Sequence, residues 1–485
     1  MKSRFLKLLG AVTIINILAK LMGFAREVII GYQYGTSYQA DSIITAITIP
    51  NFLYLVIGGA VTTAFISVYS KLKGKEKNDF AQTIFTLLSS TAVIITLFFM
   101  LFPHFWIQLF FSGMSEEAMD LTSKLFVWTA PATLFLLIGI TLSGLHNVHE
   151  NYRLSTFSTF LFNGIYLVIG VGLTPWLMEY SYALGATIGA FSMFGLLLFY
   201  IWKLRLMPIQ FKIIKMPEVG RFSRLAIPLV LGGATIQFYL IIQRIFAADL
   251  NNGVIASLNY ASKMTQFPQA VLMASVTTII YPMLAKAAGE GDISRIEEAY
   301  IKGFRMLTLI LLPASIYIFI YAKDIITFIF EYGSFNEDST NATYPLLQIF
   351  SLSIFSLALN TYVTRFFYAL EKTILPILLN VISIFGINIF VIVLYLDDLG
   401  AKAIALGTVV STIVNMLLLI AFAQIRLKLV ICSLRYILKL VVFTLITIVA
   451  IWLVSIVPSH HVLLTLLFGG IVMVLMIGGG LKSVK

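Results

Sequence analysis

The first two apolar segments carry charge where hydrocarbon would be expected. Asn16, Lys20, Gly23 and Glu27 recur at i, i+4, i+7 and i+11, one face of a helix, with Arg26 at its edge. Asp41, Thr45 and Thr48 continue the polar stripe in the next segment. Far along the chain, Gly233, Gln237 and Arg244 repeat the helical spacing, and Asn259, Lys263 and Gln266 follow in the segment after that. A charge at mid-span costs about 2.5 to 3.5 kcal/mol on insertion scales, so such residues usually face a bundle interior or a water-filled cavity. Four cations (Lys20, Arg26, Arg244, Lys263) stand against two carboxylates (Glu27, Asp41). That surplus suits an anionic ligand, above all a phosphate or diphosphate, which accepts charge-assisted hydrogen bonds from Arg and Lys together. An exporter of organic cations needs the opposite sign. The competing reading is local: Arg26 pairs with Asp41 or Glu27 and snorkels at the interface. Asn16, Gln237, Asn259 and Gln266 read equally as bridges between helices.

The elements that must hold these residues are membrane helices. Of 485 residues, 59% are hydrophobic and only 11% charged, and the mean hydropathy is +0.96. A soluble domain is roughly half apolar and a quarter charged. About 20 residues cross the hydrocarbon as a helix. Fourteen segments qualify, near 8–32, 40–69, 84–110, 122–146, 154–174, 181–202, 223–247, 253–284, 304–329, 344–369, 374–396, 401–424, 434–457 and 461–480. The expected fold is therefore an all-α polytopic membrane protein with about 14 transmembrane helices. No small-residue cleavage site follows the first run, so it reads as a span and not as a signal peptide. The lone Cys432 cannot close an internal disulfide, and no Cys/His cluster has metal-ligand spacing.

Charge sorts the loops. Three of the 33 basic residues (Lys124, Lys323, Lys402) fall in one set of alternate loops and four within spans; the other 26 lie in the tails and the opposite loops, as in "KLKGKEK" at 71–77. The sparse set is acidic instead, as in "SEEAMD" at 115–120 and "NEDS" at 336–339. Under the positive-inside rule both termini are cytoplasmic. The net charge of +11 is then a topology signal, and nucleic acid is not an expected partner.

"AVTTAFISVYSKL" at 60–72 and "SVTTIIYPMLAKA" at 275–287 match in pattern at an offset of 215, each closing a long span after a proline, Pro50 or Pro268. The match makes spans seven to twelve a repeat of one to six, two parallel six-helix lobes related by an axis along the membrane normal. The expected organisation is an N-terminal lobe at 1–203, a cytoplasmic linker at 204–222, a C-terminal lobe at 223–425 and two extra helices at 426–485. Those last two contain almost nothing polar. They read as a lipid-facing appendage or, more sharply, as a groove for an acyl tail.

A membrane enzyme would need clustered carboxylates or histidines at the interface, usually with a metal. His104, His146, His149, His460 and His461 lie at span ends or in loops, and "HNVHE" at 146–150 does not have the spacing of a zinc motif. No enzyme and no cofactor are expected. Coupling to membrane potential, sodium or protons stays open.

The stretch "LMGFAREVIIGYQYGTSYQADSIITAITIPNFLYLVIGGAVTTAFISVYSK" resembles the bacterial lipid II flippases of the MviN/MurJ family, through "GFARE", then "YG", "AD", "PN" and "AF". "NYASKMTQFPQAV" and "TRFFYALEKT" add matching patterns in the second half, and the span count is similar to that of the wider superfamily of multidrug and polysaccharide exporters. The resemblance implies outward translocation of lipid II, the undecaprenyl-diphosphate-linked peptidoglycan precursor, by alternating access. It further implies a diphosphate site at Lys20, Arg26 and Lys263, a functional acid at Asp41, and a tail groove on the last two helices. The lipid bilayer and the cell-wall synthesis machinery are the other implied partners. Tyr54 and Gly59 stand where the family commonly carries charge. Another polyprenyl-diphosphate-linked oligosaccharide is the alternative cargo, and a cation-coupled multidrug exporter the alternative transporter. A scaffold without transport would leave the charged stripe unexplained.

Overall fold

In hydrocarbon every backbone N–H and C=O must be satisfied within the chain, which leaves long apolar runs the helix as their solution. The computed structural model describes residues 2–429, 434–456 and 461–483, and no strand occurs among them. Cys432 and His460 lie outside the described residues. The first part of the chain forms α1 (Lys2–Tyr34), α2 (Tyr38–Ala46), α3 (Thr48–Tyr69), α4 (Gly74–Leu101), α5 (Pro103–Phe111), α6 (Glu116–Val148), α7 (Tyr152–Leu177), α8 (Tyr180–Leu204) and α9 (Pro217–Ala248). It continues as α10 (Val254–Glu290), α11 (Ile293–Ile320), α12 (Ala322–Phe330), α13 (Glu337–Ser351), α14 (Ser353–Ala369) and α15 (Ile374–Val381). A π-helical turn (Ile382–Asn388) then leads to α16 (Ile389–Leu399), α17 (Ala401–Leu427), α18 (Leu434–Ser455) and α19 (Val462–Ser483).

Among the described residues ten helices are long and apolar enough to cross a membrane, with α2 and α3 counted as one and the run from α15 to α16 as another, and α13 with α14, bent by 41°, make an eleventh. Helices α1, α9 and α10, with 33, 32 and 37 residues, occupy the other three expected positions. The third and ninth expected spans begin and end earlier than the sequence suggests, closing at Leu101 and Ile320, and each is followed by a separate nine-residue helix, α5 or α12. Pro103 opens α5 at its first position, where a missing N–H costs nothing. Pro50 leaves the Ala46 carbonyl without its helical donor, and the chain breaks at Ile47. Thr129 Oγ1 supplies a replacement donor to that carbonyl at 3.1 Å.

Two compact units result. The first comprises residues 1–30 and 36–256. Its centre is α6, with 72% of its span buried, packed against α2, α3, α4 and α8. Helix α7 lies along α8, where Gly185 and Gly189 face backbone: a Cβ on either would sit 2.8 Å from the carbonyl oxygen of Tyr166 or Phe162. Small residues four apart let two membrane helices approach this closely. Helix α9, which the sequence pattern assigns to the second set of six, packs along α3 and falls in the first unit.

The second unit comprises residues 31–35 and 257–485. Helix α11 packs against α13, α14, α18 and α19, while α17 receives α14 and α16. Polar side chains tie these helices together: Asn360 Nδ2 donates to the Thr412 carbonyl at 3.0 Å, and Asn415 Nδ2 to Asn380 Oδ1 at 2.7 Å. Helices α18 and α19 are only 11% and 6% buried across their spans. Gly469 against Tyr321, and Tyr317 Oη donating to the Leu466 carbonyl at 2.9 Å, attach α19 to the unit.

Candidate functional site

Within the first unit, the polar face of α1 meets α7. Gly23 fits closely there, since an added Cβ would stand 3.3 Å from Asn163 Oδ1. One turn further, the Arg26 guanidinium lies 4.2 Å from the centre of the Tyr166 ring and pairs with Glu27 Oε1 at 2.6 Å. Their side chains are only 15% and 5% exposed. A cation on an aromatic face gains about 0.5 to 2 kcal/mol, most where water is excluded. Tyr166 occupies that position because the two glycines of α8 hold α7 close, so a pattern on α8 sets the surroundings of an arginine on α1. Lys20 and Asn16, roughly two and three turns before Glu27 on the same face, are exposed.

Arg244 of α9 donates to Thr48 Oγ1, whose own proton goes to the Ile44 carbonyl at 2.8 Å. Glu27, Arg26 and Tyr166 lie within electrostatic range of the same guanidinium. The unit thus gathers two arginines and one carboxylate, with a tyrosine ring among them. Gln237, on the same helix as Arg244, is half-buried.

Asp41 has a different task. Its carboxylate accepts the backbone N–H groups of Gly253 at 2.5 Å and Ala256 at 2.7 Å, and the residue is 3% exposed. A carboxylate on the first amides of a helix satisfies donors that the helix leaves unpaired and meets the positive end of its dipole. Gly253 permits this with a φ of +90°, and any Cβ there would collide with the Thr36 carbonyl. The sequence offered Asp41 or Glu27 as the local partner of Arg26, and the ion pair forms with Glu27. With Asp41 bonded to the start of α10, the arginine cluster keeps a surplus of one positive charge. A surplus of that kind on half-buried arginines favours an incoming anion.

In the second unit, Asn259 is buried on α10, while Lys263 and Gln266, at the helical spacing read from the sequence, are half-buried. Sequence reasoning missed Tyr166 and the bond between Tyr54 and Thr159. The available signal for Tyr166 was "GATIG" at 185–189, which marks a close helix contact but not the ring it positions. Among the described residues, no three His, Cys, Asp or Glu side chains cluster closely enough to hold a metal ion.

An all-helical polytopic membrane protein with ionic side chains buried among its spans has the build of a transporter. The chain belongs to the lipid II flippase MurJ family, whose model matches residues 30–472. Asp41, Arg244 and Lys263 lie inside that match, and Lys20, Arg26 and Glu27 just before it. The chain is 26% identical over 405 residues to the probable lipid II flippase MurJ of Thermotoga maritima, covering 83% of this chain and 82% of that protein. Its fold is similar to that of a solved lipid II flippase MurJ in an inward closed conformation, with a TM-score of 0.85 at 23% identity over 96% and 97% of the two chains. An inward-facing multidrug transporter of the MATE family also shares the fold, with a TM-score of 0.72 at 13% identity over 84% and 94%.

Proposed function

We propose that this protein moves lipid II from the inner to the outer leaflet of the cytoplasmic membrane by alternating access. The observation that carries the reading is the family match over residues 30–472. The surplus of positive charge at Arg26 and Arg244 supports it, because a diphosphate supplies the compensating anion. Lys20 and Lys263 add cations for the same diphosphate as the carrier changes state. The prenyl tail stays in lipid along α18 and α19, whose apolar side chains are largely exposed. With both termini cytoplasmic and the cytoplasm electrically negative, an anion moving outward gains about 2.3 kcal/mol per charge per 100 mV. Membrane voltage, with or without sodium or protons, is therefore the proposed source of drive, and peptidoglycan polymerases outside the membrane are the proposed consumers of the product.

The test is rescue of a bacterium depleted of its own lipid II flippase, with outer-leaflet lipid II assayed directly. Wild type is expected to rescue, and Arg26→Ala and Lys263→Ala to fail at normal membrane abundance. A well-inserted wild type that leaves lipid II inside would overturn the assignment and bring forward another polyprenyl-diphosphate-linked oligosaccharide. Rescue by both variants would keep the cargo and remove the proposed site. Multidrug export is disfavoured by the same cation surplus.

A further inference from the structure

We propose that the segment joining α8 to α9 holds the phosphate of an anionic membrane lipid, at a site separate from the transported substrate. Helix α8 crosses the membrane and ends at Leu204, so the residues just beyond it lie at headgroup depth. There Asn78 of α4, Trp202 and Lys203 of α8, and then Arg205, Met207 and Ile209 line a cavity of about 650 Å³. Neither Lys203 nor Arg205 has a carboxylate partner among the described residues. Arg205 adopts a left-handed φ of +51°, and its N–H caps α8 on the Trp202 carbonyl at 3.2 Å. That conformation is costly for a side chain with a Cβ, and it fixes the direction in which the arginine leaves the helix.

Beyond the cavity the linker is fixed in place. The Lys212 N–H donates to Thr86 Oγ1 at 2.9 Å and the Ile214 N–H to Thr83 Oγ1 at 3.1 Å, which ties the linker along α4. The Phe211 ring stands 5.7 Å from that of Phe85. Yet Trp202, Phe211 and Ile213 are 67%, 74% and 63% exposed. Large apolar groups fixed outward beside cations that lack a carboxylate are unfavourable in water and well matched to the headgroup layer, where the apolar parts enter the acyl boundary and the cations reach phosphate. Inorganic phosphate in the cytoplasm would use the cations and leave the apolar rim without a purpose. The occupant that accounts for both is an anionic phospholipid.

The experiment is native mass spectrometry of the full chain, released from micelles containing phosphatidylglycerol or phosphatidylcholine. Phosphatidylglycerol is expected to stay bound in preference. Lys203→Gln and Arg205→Gln should each weaken it about fivefold, and roughly 25-fold together, at the usual strength of one basic residue near an anionic surface. Asn78→Leu changes no charge but reshapes the cavity, and should weaken binding as well. Arg153→Gln combined with Lys286→Gln removes two cations elsewhere and should leave it within about twofold. Unchanged melting temperatures establish that each variant is folded. Equal retention of both lipids, or an equal loss in the Arg153/Lys286 control, would overturn the site in favour of diffuse attraction. Displacement by millimolar inorganic phosphate would overturn the lipid as its occupant.

Discussion

Arg26 is held from two sides, by the Glu27 carboxylate and by the face of Tyr166. Lysine would keep the charge and lose the planar contact. Arg26→Lys is therefore expected to slow lipid II translocation about three- to thirtyfold, the kinetic equivalent of a lost cation–π contact. Tyr166→Phe, which keeps the ring, should stay near wild type, while Tyr166→Leu should fall with Arg26→Lys. Equal activity of the phenylalanine and leucine variants in a reconstituted flipping assay would refute a role for the ring. Asp41 calls for a different measurement, since its partners are backbone amides. Asparagine presents a donor to one of the two N–H groups, so Asp41→Asn should cost about 1 to 2 kcal/mol. Hydrogen exchange should locate that loss at Gly253 and Ala256 before it spreads; unchanged protection there would refute the capping role. The contrast explains what sequence could reveal at this scale. The sequence left Asp41 and Glu27 both open as the partner of Arg26, but the charged stripe on α1 was legible because Lys20 and Glu27 stand out at helical spacing in an apolar run. The bond from Asp41 to amides more than 200 residues away was not, because backbone groups carry no signature of residue type. Nor was Tyr166, one tyrosine among 22.

Between elements, the contact of α7 with α8 transmits most directly to the site. Gly189→Ala puts a methyl group against the Phe162 carbonyl, and the backbone has to move apart. Overpacking of this kind costs about 1 to 3 kcal/mol. Because Phe162 and Tyr166 are one turn apart on α7, the displacement reaches the ring over Arg26, and flipping should fall together with stability. Gly195→Ala on the same helix meets nothing within 4 Å and is the control, neutral or slightly stabilising. Equal melting temperatures for Gly189→Ala and Gly195→Ala would show that the close approach is dispensable. Helices were the most legible part of the fold, because a run of about 20 apolar residues in lipid has few other outcomes. Their interruptions were less so. The expected spans 40–69 and 84–110 run straight through Pro50 and Pro103, where the helices break, and the π-helical turn at Ile382–Asn388 contains no proline and depends on how α17 receives it.

The whole molecule poses a question that fold does not answer, since a multidrug transporter shares this architecture at 13% identity. Spans were countable from sequence, but the assignment of α9 to the first compact unit was not, because it depends on which face of α9 finds α3. Direction is a property at this scale. Twenty-six of 33 basic residues lie on one side by the loop count, and moving such loops across the membrane during insertion is strongly disfavoured. If that side is cytoplasmic, the membrane field assists an anionic lipid travelling outward, and a reversed topology would make the same field oppose it. Orientation is therefore the condition on which the energetics of the proposed transport depend. The chain has one cysteine, so Cys432→Ser gives a background for labelling. Glu117→Cys, in the exposed acidic turn at the start of α6, should react with a membrane-impermeant maleimide in intact cells. Lys75→Cys, exposed at the start of α4, should react only after lysis. The opposite pattern would place the basic loops outside and leave a voltage-driven outward flippase without its driving force.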